Sequence, residues 1–109
     1  MTAETQFGPI ADRIIFENDS VRVWKLSVAP NGTKAMHRHE LPYLIIPLSG
    51  GTVEIQTLEG AVRALQDQPG MVLWGEAGEA HQLRNLSPMQ YENILVELKR
   101  DRSATRQTE

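Results

Sequence analysis

Three histidines, the only ones among 109 residues, carry the chemistry this chain can do. His37 and His39 stand one residue apart in Asn31-Gly32-Thr33-Lys34-Ala35-Met36-His37-Arg38-His39, and His81 follows in Gly78-Glu79-Ala80-His81. Alternate side chains of an extended strand share a face, so His37 and His39 reach into one pocket. His81 lies in a second strand-like stretch, as a site built between neighbouring strands requires. Neutral imidazole binds Zn, Fe, Ni and Cu, and three of them leave coordination positions open. The pattern points to a divalent metal site, against the plainer reading of three polar residues on a sheet.

Such a site needs a frame of strands, and turn residues cut the chain into them. Arg13 to Phe16 reads as a first strand, closed by Glu17-Asn18-Asp19-Ser20, and Val21 to Val28 stops at Pro30-Asn31-Gly32. Tyr43 to Leu48 ends at Ser49-Gly50-Gly51, with Pro47, which cannot donate to a ladder, marking an edge, a bulge or a strand end. Thr52 to Gln56 and Ala61 to Leu65 flank Leu58-Glu59-Gly60 as a hairpin, and Met71 to Trp74, His81 to Leu86 and Tyr91 to Leu98 complete the set. About eight strands at this spacing predict an all-β sandwich or barrel. The chain divides into an N-terminal segment (1–12), a barrel (13–99) and a polar tail (100–109) that reads as disordered.

Composition narrows the function classes. With no cysteine there is no disulfide framework, thiolate site or cysteine nucleophile. The start Met1-Thr2-Ala3-Glu4-Thr5-Gln6 lacks the basic and apolar regions of a signal peptide. No apolar stretch approaches the roughly 20 residues that cross a bilayer. A cytoplasmic protein is expected. A net charge of −3 with both signs interspersed and no basic stripe argues against nucleic acid as a partner. The expected partners are a small-molecule substrate or ligand and a second copy of the chain, since open sheet edges need cover and two-fold dimers are the commonest oligomers. The run Arg13-Ile14-Ile15-Phe16 is either an interface or swapped strand or a strand of its own sheet.

Two ordered motifs give the chain a family resemblance. Gly32, His37, His39, Tyr43 and Gly50 follow the first cupin motif, and Gly70, Glu76, Gly78, His81 and Asn85 follow the second. The chain resembles a single-domain cupin, which implies a jelly-roll barrel with the three histidines as metal ligands. Three positions depart from the family pattern. Gly32 sits one place nearer His37, Glu76 replaces the second motif's proline, and Tyr43 replaces the glutamate that serves as fourth ligand. Strand parity places positions 39, 41 and 43 on one face and aims Glu40, the nearest carboxylate, away. His37-Arg38-His39 through Leu48 is also loosely similar to the small cupins linked to β-alanine breakdown.

Without the glutamate, three neutral imidazoles leave the ion's charge uncompensated, which favours an anionic chelating substrate: an enolate, a β-diketone or a 2-oxo acid. Three-histidine cupins include dioxygenases of this kind, so the resemblance implies Fe(II), with Zn, Ni, Mn or Cu as alternatives. Zinc on three histidines would instead suit hydrolysis or hydration. A non-catalytic metal or small-molecule binder and a metal-dependent isomerase are the other readings. An isomerase would need a general base beside the pocket, for which the sequence offers only the ligand histidines, Tyr43 and the strand residues Glu54, Glu92 and Glu97, whose parity is open. Tyr43 either hydrogen-bonds a bound substrate or walls the pocket. Asn85 reads as a turn or strand-end hydrogen-bonder rather than a substrate contact, Trp74 as core rather than a residue of the barrel mouth, and Gln82 and Arg84 as outer face.

Overall fold

β-branched and apolar runs separated by Gly, Asn, Pro and Ser form nine strands and, among the described residues, no helix. The computed structural model describes residues 7–99, so the expected tail at 100–109 lies outside them. The strands are β1 (Arg13–Glu17), β2 (Val21–Val28), β3 (Thr33–Arg38), β4 (Tyr43–Pro47), β5 (Gly51–Thr57), β6 (Val62–Asp67), β7 (Leu73–Gly75), β8 (Ala80–Asn85) and β9 (Tyr91–Leu98). All neighbouring pairs are antiparallel, in a five-stranded sheet β1-β2-β9-β4-β7 and a four-stranded sheet β3-β8-β5-β6. This is the expected all-β jelly roll. Among the described residues no helix is long and apolar enough to cross a membrane.

Eight strands match the runs expected from the sequence. The ninth, β3, carries His37 itself. Its sequence Thr-Lys-Ala-Met-His-Arg has little apolar alternation to announce a strand, and its pairing with β8 shifts register between Lys34 and His37. Pro47 closes β4, where the missing N–H costs the ladder least.

Inward residues of β2, β5, β8 and β9 make the core: Leu26, Val28, Val53, Ile55, Leu83 and Tyr91, with Ala11 packed beneath them. Burying each large aliphatic side chain is worth about 1.5–3 kcal/mol. Residues ahead of β1 join the barrel through backbone bonds from Gly8 N to Met36 O (2.9 Å) and Asp12 N to Lys25 O (3.0 Å). Asn85 ends β8 as expected: its amide donates to the carbonyls of Val28 (3.0 Å) and Met89 (2.8 Å) and its Oδ1 accepts from Ser87 N (2.9 Å). Asn31, at φ 63°, turns the chain from β2 toward β3 in the left-handed region that asparagine tolerates. β1 pairs with β2 of its own chain and leaves Ile14, Ile15 and Phe16 exposed along a sheet edge.

Candidate metal centre

Cross-strand register builds the site. His37 on β3 lies directly opposite His81 on β8, and Thr57 of β5 flanks His81 on its other side. Directly opposed side chains on one sheet face are close neighbours. His39 sits one residue past the end of β3, held by backbone bonds from its N to Glu79 O (3.2 Å) and from Gly78 N to its O (2.7 Å). The three rings form a near-equilateral triangle with centroids 4.8–4.9 Å apart and planes 65–88° to one another. One donor atom from each histidine lies within 4.8 Å of the other two, and all three side chains are buried.

Hydrogen bonds fix which nitrogens face inward. His37 Nδ1 lies 2.7 Å from the carbonyl of Ala35, and His81 Nδ1 lies 2.7 Å from Glu79 Oε1. A carbonyl and a carboxylate only accept, so both Nδ1 atoms carry the proton and both Nε2 atoms present lone pairs. His39 Nε2 stands 3.1 Å from His81 Nε2, while the buried Nδ1 of His39 has no partner. Metal–nitrogen bonds of about 2.0–2.1 Å at tetrahedral or octahedral angles put ligand nitrogens roughly 2.8–3.4 Å apart. That pair therefore already has ligand spacing, and the donor set fits a divalent cation.

Electrostatics keep the rings neutral. Burial lowers the His37 pKa to about 4. Burial, then repulsion from His37 and His81, lowers that of His39 to about 3. Burial also lowers His81, against the pull of Glu79. Neutral imidazole is the form that ligates a metal.

Two residues of the site were missed in the sequence. Glu79 holds His81 and is itself gripped by Arg63, with Nη2 to Oε1 at 2.9 Å and Nη1 to Oε2 at 3.4 Å. The Arg63 bonds, joined by that of His81, hold the Glu79 carboxyl at about 2. Glu79 stands two residues before His81, and that spacing was a usable signal. Arg63, on a separate hairpin, offered none.

Tyr43 joins the site, though not by the parity argument. Residues 39–42 leave the strand and bend at Leu41, so no continuous face links His39 to Tyr43. Its ring stacks on His39 (centroids 3.9 Å, 18°), and a side chain at Gly75 would strike it. Burial, then the Glu79 charge, raises the Tyr43 pKa to about 12. Glu40 is exposed, and Gln82 and Arg84 face outward, as expected. Trp74 corrects its reading as core: it lies on edge strand β7, 55% exposed, at the mouth of a cavity of about 370 Å³. Of the three strand glutamates, Glu97 turns inward, 3% exposed, and accepts from Trp24 Nε1 (2.7 Å) and Arg22 Nη1 (3.2 Å). Glu54 and Glu92 take the alternate, outer positions.

The chain is similar to proteins of known sequence and structure. It is 30% identical over 83 residues to the β-alanine degradation protein BauB of Pseudomonas aeruginosa PAO1, covering 76% of this chain and 86% of BauB. No protein-family profile matches it. The crystal structure of a cupin domain from Bordetella pertussis Tohama I superposes with a TM-score of 0.76 at 24% identity, covering 90% of this chain and all of that one. A double-stranded β-helix protein of Klebsiella pneumoniae superposes at 0.66 and 21% identity, covering 88% and 81% of the two chains.

Proposed function

The chain belongs to the cupin family, and from that premise we propose that it is a metal-dependent enzyme of the dioxygenase type. In this reading His37, His39 and His81 hold one divalent ion, Fe(II) by preference, and the substrate is a small anionic chelator such as an enolate, a β-diketone or a 2-oxo acid. Bound there, iron supplies Lewis acidity toward the chelating anion and one-electron chemistry toward dioxygen, whereas zinc supplies Lewis acidity alone.

The observation that carries the reading is a three-histidine cluster with no carboxylate among its converging donors. Tyr43 takes the place of the acid, and at a pKa of about 12 it stays protonated, a hydrogen-bond donor toward a substrate oxygen. Glu79 does not offset the ion's charge either, because Arg63 already neutralises it. Glu79 keeps the proton of His81 on Nδ1, and Ala35 does the same for His37. Apolar cavity walls from Ile45, Leu73 and Leu95 exclude water around a bound chelator. An isomerase is less well supported, since Glu79, at about 2, is a weak base at neutral pH. The name of BauB adds support for a small carboxylate as the substrate class.

The test is metal analysis of freshly purified protein, followed by oxygen uptake with β-diketones and 2-oxo acids. Near-stoichiometric iron with substrate-dependent uptake is expected. Iron without uptake would make the protein a binder, and failure to retain any divalent ion after reconstitution would overturn the reading. The exposed edge strand β1, with Ile14, Ile15 and Phe16, further supports pairing with a second copy, which light scattering would detect as a dimer.

A further inference from the structure

We propose that the cavity has a second recognition point, formed by Asp67 and Asn93, that takes a primary ammonium group at the far end of an elongated ligand. Asp67 closes β6, is 2% exposed and lines the cavity. Among the described residues its side chain accepts one hydrogen bond, from the Tyr91 hydroxyl (2.7 Å), and no lysine, arginine or histidine pairs with it. A buried carboxylate without a counter-charge is costly, so this one is short of a partner. The fold supplies partners where a carboxylate is structural, as Arg22 and Trp24 do for Glu97.

Asn93 sharpens the chemistry. The carboxylate of Asp67 can only accept, so the Tyr91 proton points to it and the Tyr91 oxygen remains an acceptor. Asn93 must then turn its amide nitrogen to that oxygen, as it does at 3.0 Å, leaving Oδ1 as its free end. That Oδ1 is buried without a partner, on a residue 1% exposed that also lines the cavity. A carboxylate with a single neutral donor and an amide oxygen with none are complementary to a cationic donor group.

Register sets the length of the ligand. Thr57 at one end of β5 pairs with His81, and Gly51 at the other end pairs with Asp67. Those 7 residues span about 20 Å of strand, shortened by side chains reaching inward from both ends. Between the ends the cavity wall is apolar, with Val53, Ile55, Leu83 and Leu95. The ligand so described has an anionic chelating head, an apolar middle and an ammonium tail. The head rests on the metal reading above; the tail does not.

Calorimetry on zinc-reconstituted protein with octanoate, 8-aminooctanoate and octylammonium separates the two ends. The amino acid should bind at least tenfold tighter than octanoate, and Asp67→Asn, which still accepts from Tyr91, should abolish that advantage while leaving zinc content unchanged. Asn93→Leu should shrink it severalfold, and Glu76→Gln at the cavity mouth should leave it intact. Equal or weaker binding of the amino acid, or an advantage that survives both Asp67→Asn and Asn93→Leu, overturns the proposal. If no zinc is retained and octanoate does not bind, the metal reading falls and octylammonium decides the tail. Binding lost in Asp67→Asn upholds it, and no binding overturns it.

Discussion

Glu97 on the five-stranded sheet and the histidine pair on the four-stranded sheet are buried polar side chains of opposite kinds. On the five-stranded sheet Glu97 is closed off: Trp24 and Arg22 both donate to one of its oxygens, and Arg22 is held in turn by Glu17. On the four-stranded sheet His37 and His81 each commit one nitrogen to the protein and leave the other facing its neighbours. A satisfied buried group holds structure, because nothing else can improve on its contacts. A half-satisfied one stores binding capacity, provided its fixed half keeps it oriented. The difference separates scaffold from site more sharply than burial does, since Glu97 and the histidines are equally hidden from solvent.

Substitutions on each sheet can break that contrast. His81→Ala should have the largest effect, lowering bound metal at least about tenfold by elemental analysis while the thermal midpoint of the metal-free protein barely falls. Glu79→Gln, which frees the His81 ring to turn, should weaken metal affinity about 10–100-fold in a competition titration. Glu97→Ala should do the reverse. Stranding Trp24 and Arg22 should cost about 1–3 kcal/mol, a fall of the order of 10 °C in Tm, with metal content unchanged. Metal loss in Glu97→Ala, or a comparable fall in the Tm of metal-free His81→Ala, would erase the distinction.

Acid should act on the histidine sheet first. Burial holds His37 near pKa 4 and His39 near 3, against an ordinary 6.5, so the unfolded chain binds protons that the folded one refuses. Metal-free stability is therefore full above about pH 6.5 and is lost as pH falls toward 4 and then 3, as denaturant midpoints across that range would record. The smallest effect is expected from Tyr43→Phe, which keeps the ring against His39. Metal affinity should hold within about twofold while anionic chelators lose up to about tenfold.

Residues whose role is local were legible in the sequence, and residues whose role depends on a distant partner were not. Val21–Val28 and Tyr91–Leu98 announce themselves by composition and turns. The histidines announce themselves by spacing, and register rather than pattern then brings His37 opposite His81. Arg63 carries no local signal and joins the site only because β6 and the turn before β8 meet, whereas Glu79 stands two residues from His81. Glu97 had no readable parity because Leu95-Val96-Glu97-Leu98 is apolar on both faces of the strand. Trp74 looked like core because its size suggests burial, yet β7 is a three-residue edge with a neighbour on one side only.

The pairing of β3 with β8 also bears on time. His39 and His81 are 42 residues apart, and every strand from β4 to β7 lies in the loop that their contact closes. An ion shared between them staples that loop. Opening it then requires breaking ligand bonds as well as strand pairing, so occupancy of the site should lengthen the lifetime of the folded barrel against proteolysis. The same three side chains would act as a clock on turnover of the protein, running slowly while metal is plentiful and fast when it is scarce.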